Sequence, residues 1–229
     1  MLNPRLRYQV QSIGQEQQPM IIIDNFVADP EGLVAYALGQ QDVMPAAGNY
    51  PGLRSKAPNA YQIMLCQQLS PLLQQVFGLA AEQLTQAECY YSMVATPVNQ
   101  LSVVQQLPHF DRARPDELAV IHYLCGPPHG GTSFYRHRSS GYEYVDQARL
   151  KPYLARLENE IQHYGMPRQP CYINGENVFF ERVTSVQAVF NRAVIYRCSN
   201  LHSGDIPADY QFDMNPTTGR FTVASFIHS

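Results

Sequence analysis

The sequence "LPHFDRARPDELAVIHYLCGPPHGGTSFY" occupies residues 107–135 and contains two runs typical of β-strands, "ELAVIHYL" and "GTSFY", joined by a Gly/Pro-rich turn. It also contains the triplet "HFD" (109–111). On a strand, residues i and i+2 point to the same face of the sheet. His109 and Asp111 can therefore present an imidazole and a carboxylate to one metal ion.

A sequence pattern typical of β-strands begins at residue 86 and continues to residue 229. Short apolar runs are separated there by Gly, Pro and Asn, which favours a β-sandwich or barrel. One helical stretch interrupts them at 145–164. Its apolar residues recur at helical spacing, as Leu150, Leu154, Leu157 and Ile161. The pattern predicts a β core over 86–229 with one inserted helix.

The first 85 residues have a mixed α/β character. "PMIIIDNF" (19–26) reads as a buried strand, and "DPEGLVAYALGQQ" (29–41) as a helix with Asp29 as N-cap and Pro30 at its first position. A further helix is expected within 60–78, ending at Gly78. The two parts do not look separable, so we expect residues 1–229 to form a single domain, with 1–85 as an N-terminal flank.

Composition narrows the class of protein. The chain has 229 residues, 45% apolar and 15% charged, with a net charge of -3, which is a globular composition without a basic patch for nucleic acid or membrane surfaces. No apolar run approaches the roughly 18 residues of a membrane span. The polar N-terminus lacks the apolar region of a secretory signal. Five scattered cysteines without a Cys-x-x-Cys motif favour reduced thiols and a cytoplasmic protein.

A third metal ligand is expected from a distant strand. His202 is the best placed of the seven histidines, because it closes the strand-like run "RAVIYRCSNLHSG" and precedes the turn residues Ser203 and Gly204. His109, Asp111 and His202 would form a set of two histidines and one carboxylate, which leaves coordination positions open and suits non-haem Fe(II) oxygen chemistry. A His-x-Asp triplet by itself also occurs by chance or as a helix cap, and His122, His137 and His163 carry no such pattern.

An arginine follows farther along the chain. Arg220 begins the strand-like run "RFTVASF", and Thr222 lies on the same strand face. The planar guanidinium of an arginine binds a carboxylate through two hydrogen bonds, so Arg220 and Thr222 can hold the distal carboxylate of a dicarboxylic reductant. The alternative is a surface arginine paired with Asp209 or Asp213.

These motifs, in this order, resemble the 2-oxoglutarate and Fe(II)-dependent oxygenase superfamily of the prolyl-hydroxylase-like type. The resemblance is carried by "HFD" (109–111), "IHYL" (121–124), "GGTSFY" (130–135), "NRAVIYRCSNLHSG" (191–204) and "GRFTVASF" (219–226). "IIIDNFVADP" (21–30) also resembles the beginning of many members. The resemblance touches most of the chain and is strongest over 107–227.

The resemblance implies an α+β, mainly β fold with a double-stranded β-helix, or jelly-roll, core, N-terminal helices and one inserted helix. It implies His109, Asp111 and His202 as iron ligands, and Arg220 with Thr222 as the clamp on 2-oxoglutarate. Tyr123 matches a tyrosine that binds the same carboxylate, although it can equally be a core aromatic residue. Because Arg220 follows His202 by 18 residues, residues 203–219 must form a longer connection than many members have.

The implied activity is hydroxylation of a substrate C–H bond with Fe(II) and 2-oxoglutarate. Asp111 favours hydroxylation over halogenation, because related halogenases leave the carboxylate position open for chloride. Two alternatives remain: a cupin-like metalloenzyme that does not use 2-oxoglutarate, and a jelly-roll module that binds without catalysis. Cupins usually carry a His-x-His pair, which this chain lacks.

The substrate is not indicated by the sequence, either as a small molecule or as a peptide or protein, and neither is the oligomeric state. Tyr50 and Arg54, in "NYPGLRS", are candidates for residues near the mouth of the site. Arg136, His137 and Arg138 are candidates for receiving an acidic group of the substrate, or form a solvated strand end. The helix around 145–164 is a candidate cover over the site.

Overall fold

The computed structural model describes residues 1–46 and 48–229, and within them eleven β-strands and four α-helices. The strands are β1 (Arg7–Ile13), β2 (Gln18–Asp24), β3 (Met44–Pro45), β4 (Gly52–Lys56), β5 (Gln86–Val94), β6 (Leu118–Tyr123), β7 (Gly131–His137), β8 (Phe180–Gln187), β9 (Arg192–Arg197), β10 (His202–Gly204) and β11 (Phe221–His228). The helices are α1 (Pro30–Leu38), α2 (Asn59–Gln68), α3 (Ser70–Phe77) and α4 (Gln147–Tyr164).

The strands form two antiparallel sheets. The large sheet has the order β1-β2-β9-β6-β11-β5-β4-β3, and the small sheet has the order β10-β7-β8. The strands of the N-terminal flank join the large sheet directly, since β2 pairs with β9 and β4 pairs with β5. The N-terminal part of the chain thereby widens the core sheet at both edges.

The inner faces of the two sheets pack against each other. Phe134 of β7 meets Tyr196 of β9 edge to face, with ring centroids 4.9 Å apart. The opposite face of the large sheet is covered by the first three helices, and Leu65 of α2 belongs to the same buried cluster as Ile195. The opposite face of the small sheet is covered by α4, whose Tyr153 packs in one cluster with Phe180. The molecule therefore has four layers, with the helices outside and the sheets inside.

The helices begin and end where local chemistry favours it. The Asp29 side chain accepts a hydrogen bond from the Gly32 amide (2.9 Å) and caps α1, and Asp146 caps α4 in the same way. Gly78 ends α3 in the left-handed conformation, with φ of 67°, which a residue without a Cβ adopts at least cost. The expected mainly β fold, with N-terminal helices and one helix inserted between the β7 and β8 strands, is confirmed.

The sequence analysis did not predict the strand β1. It pairs with β2 over its whole length, from Arg7 opposite Asp24 to Ile13 opposite Gln18. Its first six residues are exposed, because β1 is the edge strand of the large sheet. A strand that buries neither face has no apolar alternation to reveal it, so only its pairing with β2 defines it.

No helix among the described residues is both long enough and apolar enough to cross a membrane.

Candidate functional site

Backbone pairing brings the residues of the His-x-Asp triplet to His202. The His109 amide donates to the His202 carbonyl (2.9 Å), and the His202 amide donates to the His109 carbonyl (2.8 Å). The Asp111 amide donates to the Cys198 carbonyl (2.8 Å). The segment that carries the triplet thus lies antiparallel to the chain leading into β10, although 91 residues separate Asp111 from His202 in sequence.

The three side chains converge on one point. Each offers one nitrogen or oxygen atom, and these atoms all lie within 4.8 Å of one another. The Nε2 atom of His109 is 3.7 Å from Oδ1 of Asp111, and Nε2 of His202 is 3.6 Å from Oδ2 of the same carboxylate. Phe110, between the two candidate ligands, packs its ring edge to face on Tyr153 of α4. The alternation of an extended chain thus separates the two candidate ligands from the aromatic ring between them.

The two histidines are held in the neutral form that binds metals. Burial in the pocket floor lowers the pKa of His202 to about 4, and burial together with the neighbouring His202 lowers the pKa of His109 to about 4. Nδ1 of His202 lies 2.9 Å from the Asn200 carbonyl oxygen, which can only accept. Nδ1 therefore carries the proton, and Nε2 presents its lone pair towards Asp111.

Asp111 is a partly buried carboxylate, and no lysine or arginine of the described chain forms an ion pair with it. Burial is the largest influence on its pKa and raises it. A buried carboxylate is normally paired with a cation or coordinates a metal. With two neutral imidazoles as neighbours, Asp111 still needs a positive charge, which a divalent metal ion would supply.

The candidate ligands lie in a pocket of about 400 Å³ between the two sheets. A cavity of this size matches a small organic ligand or an inserted side chain. His109 is half exposed, but its surface faces this pocket. The pocket also contains Arg220 and Thr222 at the start of β11, so the structure brings the proposed metal ligands and the proposed carboxylate clamp into one cavity.

Arg220 is buried and is not the surface arginine of the alternative interpretation. Its Nε donates to the His129 carbonyl (3.1 Å) and its Nη2 donates to the Gly131 carbonyl (3.0 Å). No acidic residue of the described chain forms an ion pair with it. Its backbone amide donates to the Tyr210 hydroxyl (3.0 Å). The guanidinium is thus oriented by neutral groups, which leaves its charge and its remaining N–H donors for a ligand.

Tyr123 contacts a residue of the pocket wall and is not itself among the lining residues that the structure describes. Its hydroxyl forms a hydrogen bond with Oγ1 of Thr132 (2.6 Å), and Thr132 lines the pocket. Tyr123 is fully buried in the cluster between the sheets, and Thr222 is its direct cross-strand partner. The structure therefore places Tyr123 beside Thr222, one residue of the proposed clamp, and in hydrogen-bond contact with Thr132.

Sequence analysis missed Tyr196. The Tyr196 ring packs against the His202 ring, with centroids 4.7 Å apart, and Tyr196 lines the pocket. The hydroxyl is buried and has no hydrogen-bond partner among the described residues. The available signal was the alternation in "RAVIYR", which puts Tyr196 on the same strand face as Val194, but that pattern marks any inward-facing residue.

Several other candidates from the sequence lie away from the pocket. Arg136 forms ion pairs with Glu143 and Glu181, and Arg138 forms one with Glu176. The α4 helix covers the outer face of the small sheet, and none of its described residues lines the pocket. The expectation that this helix covers the site is therefore wrong, because its apolar stripe is used to bury the sheet.

The remaining histidines of interest have structural roles. His122 is fully buried, with its ring nitrogens 3.1 Å from the Tyr61 hydroxyl and 3.1 Å from Oδ1 of Asn191. His137 lies between Ser140 and Glu160, at 2.8 Å from each. These contacts tie neighbouring elements together, and they satisfy both ring nitrogens without a metal.

The chain matches a known family model along nearly its whole length. Residues 4–227 match the model described as "Family of unknown function (DUF6445)". The chain belongs to this family. No curated protein matches it.

Three solved structures are similar to this DUF6445 member at low sequence identity. The structure titled "Crystal structure of the non-heme alpha ketoglutarate dependent epimerase SnoN from nogalamycin biosynthesis" aligns over 91% of the chain and 77% of its own, with 10% identity and a TM-score of 0.50. HygX from Streptomyces hygroscopicus, titled as having nickel and 2-oxoglutarate bound, aligns over 95% and 84%, with 10% identity and a TM-score of 0.45. EvdMO1 aligns over 95% and 48%, with 15% identity and a TM-score of 0.41. The first comparison shows a related fold.

Proposed function

We propose that this protein is a non-haem Fe(II), 2-oxoglutarate-dependent dioxygenase that hydroxylates a C–H bond of its substrate. One observation carries the proposal: a partly buried carboxylate and two neutral imidazoles converge in a pocket that also holds a buried arginine. Among the described residues, the carboxylate has no cationic side chain paired with it, and the arginine has no acidic one. A metal ion chelated by a dicarboxylate would satisfy both.

The donor set fits iron. Two imidazole nitrogens and one carboxylate oxygen form the set that is typical of non-haem Fe(II) oxygenases and leaves positions open for other ligands. His109, Asp111 and His202 would hold the metal, and the hydrogen bond from His202 to the Asn200 carbonyl would fix the orientation of one ligand. When bound, Fe(II) and 2-oxoglutarate supply dioxygen activation and the oxidation of a C–H bond.

The chain itself would bind and orient the co-substrate. Arg220 would hold the distal carboxylate of 2-oxoglutarate through the N–H donors that its two backbone contacts leave free. The hydroxyls of Thr222 and Thr132 line the same part of the pocket and can add hydrogen bonds. Tyr123 would act through Thr132, by fixing the rotation of its hydroxyl. The low polarity of the surroundings strengthens each of these interactions.

We further propose that the two sheets form a jelly-roll core. The His109 bridge to β10 adds a fourth strand-like segment to the small sheet, which then faces the neighbouring β9, β6, β11 and β5 of the large sheet. Four strands against four is the arrangement of a double-stranded β-helix. The related fold of SnoN, titled as an alpha ketoglutarate dependent enzyme, supports this assignment.

Anaerobic titration of the Fe(II)-reconstituted protein with 2-oxoglutarate tests the proposal. The wild type should develop the weak visible charge-transfer band of chelated 2-oxoglutarate. Asp111→Ala should lose the band, because a ligand is removed. Arg220→Gln should weaken 2-oxoglutarate affinity by roughly thirtyfold, the equivalent of a lost charged hydrogen bond of about 2 kcal/mol. Arg138→Gln is the control, since Arg138 pairs with Glu176 outside the pocket.

Three results would contradict the proposal in different ways. Iron binding without a band in the wild type would favour a cupin-like metalloenzyme that does not use 2-oxoglutarate. Failure to bind iron at all would favour a binding module. Equal weakening by Arg220→Gln and Arg138→Gln would remove Arg220 as the clamp.

A further inference from the structure

A second arginine lines the pocket and is not used by the proposed co-substrate site. Arg54 lies on β4 and is partly buried. Its Nε donates to Oγ of Ser92 on the neighbouring strand (3.2 Å). Its guanidinium carbon lies 4.5 Å from the centre of the Tyr50 ring, in stacking range. Two contacts therefore hold the head group, and neither uses the two terminal nitrogens, which form no hydrogen bond to the residues that the structure describes.

Within the described part of the chain, the charge of Arg54 has no acidic partner. No acidic residue of the described chain forms an ion pair with it. Arg112 and Arg136, in contrast, each pair with two glutamates. Taking an arginine out of water without an anion costs free energy. An arginine held in this way inside a pocket is therefore suited to binding an anion from outside.

Arg54 and Arg220 face different parts of the pocket. The Arg54 guanidinium lies near the rings of Tyr90 (5.5 Å) and Phe226 (5.9 Å). The Arg220 guanidinium is held instead by the His129 and Gly131 carbonyls. One small dicarboxylate held by Arg220 therefore leaves Arg54 available to a second anion.

The ring of Tyr50 lies beside Arg54 and lines the same pocket as both arginines. Its hydroxyl is buried without a hydrogen-bond partner among the described residues. Burial raises its pKa, and the charges of Arg220 and Arg54 partly offset that rise. Arg54 also lines the same pocket as the candidate ligands His109, Asp111 and His202. An anion on Arg54 would thus share a cavity of about 400 Å³ with the proposed metal position.

We propose that Arg54 anchors a carboxylate of the substrate, so that this protein acts on a carboxylic acid with an apolar body. The inference rests on the proposed function, because it places the substrate beside the proposed metal. The same pocket is lined by apolar side chains that would receive the body of the acid: Ile121, Ala224 and Phe226. The Tyr50 hydroxyl is available to the same carboxylate.

A carboxylate fits this position better than a phosphate. Among the described residues that line the pocket, the arginines are Arg54 and Arg220, and no lysine joins them. With Arg220 holding 2-oxoglutarate, Arg54 alone balances one negative charge. A phosphate monoester carries nearly two and would need a second cation or several amide donors.

Ligand-observed fluorine NMR tests the proposal. The probes are fluorinated phenylalkanoic acids, from phenylacetate to phenylpentanoate, each beside its primary amide and its phosphate analogue. The protein is loaded with Zn(II) and 2-oxoglutarate, and a parallel sample has neither. At least one acid should bind the wild type about tenfold more tightly than its amide, as expected for one charge-assisted contact. Arg54→Gln should abolish that preference, whereas Arg138→Gln should retain it.

Three results would overturn the proposal: acids that bind no better than their amides or not at all, a preference that survives Arg54→Gln, and an Arg54-dependent preference for the phosphates. The two proposals fail separately. Loss of the acid preference with an intact 2-oxoglutarate band rejects only the substrate class. An Arg54-dependent acid preference in a protein without such a band rejects only the dioxygenase, and leaves an acid-binding pocket.

Discussion

At the scale of single residues, the Tyr196 hydroxyl lowers the stability of the free protein and is placed to bind a ligand. Its hydroxyl is fully buried and unpartnered among the described residues, and its ring contacts His202. Burial raises its pKa well above the usual range, and the neighbouring Asp111 raises it further, so the hydroxyl keeps its proton. A protonated hydroxyl that lacks an acceptor destabilises the free protein and is ready to donate to a bound carboxylate.

Tyr196→Phe should therefore separate stability from ligand binding. The free energy of unfolding of the metal-free protein should stay the same or rise by about 1 kcal/mol, because an unsatisfied polar group is removed. The affinity of the Fe(II) form for 2-oxoglutarate should fall about fivefold, for one neutral hydrogen bond. Urea denaturation and the anaerobic titration measure the two effects. Tyr135→Phe, which changes a buried tyrosine packed towards α4, is the control and should leave affinity unchanged.

At the scale of elements, the turn before β7 holds the small sheet in register. Gly130 has φ of 78°, and a Cβ there would lie 1.6 Å from the Asp205 carbonyl oxygen. The Asp205 amide donates to the Gly131 carbonyl (3.0 Å) just beyond it. This close approach connects β7 with the residue that follows β10, the strand on which His202 lies.

Gly130→Ala should accordingly cost roughly 3 kcal/mol or more, from left-handed backbone strain and a forced displacement of the neighbouring chain. Gly141→Ala is a matched comparison, because Gly141 has φ of 73° and nothing within 4 Å of its Cβ position. It should cost only about 1 kcal/mol. Chemical denaturation measures both losses. Equal losses would mean that the contact with Asp205 does not constrain the turn.

At the scale of the whole molecule, His122 joins the helical layer to the large sheet. It lies on β6 and contacts the Tyr61 hydroxyl of α2 on one side and Asn191 on the other. The Asn191 amide group in turn accepts from the Val27 amide (3.0 Å) and donates to the Val27 carbonyl (2.9 Å). Burial lowers the pKa of His122 to about 3, so the native state keeps it neutral.

This linkage makes stability depend on pH. The unfolded chain binds a proton at His122 below about pH 6.5, whereas the native state does so only near pH 3. The contribution of His122 is therefore fully present above pH 6.5 and is lost as the pH falls towards 3. Between about pH 7 and about pH 5, the wild type should lose about 2 kcal/mol more than His122→Phe does. Urea denaturation at both pH values measures this difference, and parallel losses in the two proteins would contradict the assignment.

The sequence by itself determined the local features. Side-chain alternation put His109 and Asp111 on one face, with Phe110 on the other. Capping by Asp29 and the left-handed Gly78 set helix ends, because these interactions join residues only a few positions apart. The order of the motifs indicated the mainly β fold.

Only the tertiary structure decided which of these features meet. Antiparallel pairing brings His202 to His109, and the packing of the two sheets places Tyr196 and Arg54 in the same pocket. It also sends α4 to the outer face of the small sheet. Period-two and helical patterns tell which side of an element is apolar, but they do not tell which partner that side will face. Strand register and layer packing decide which partner it is, because both depend on contacts between residues that are distant in the sequence.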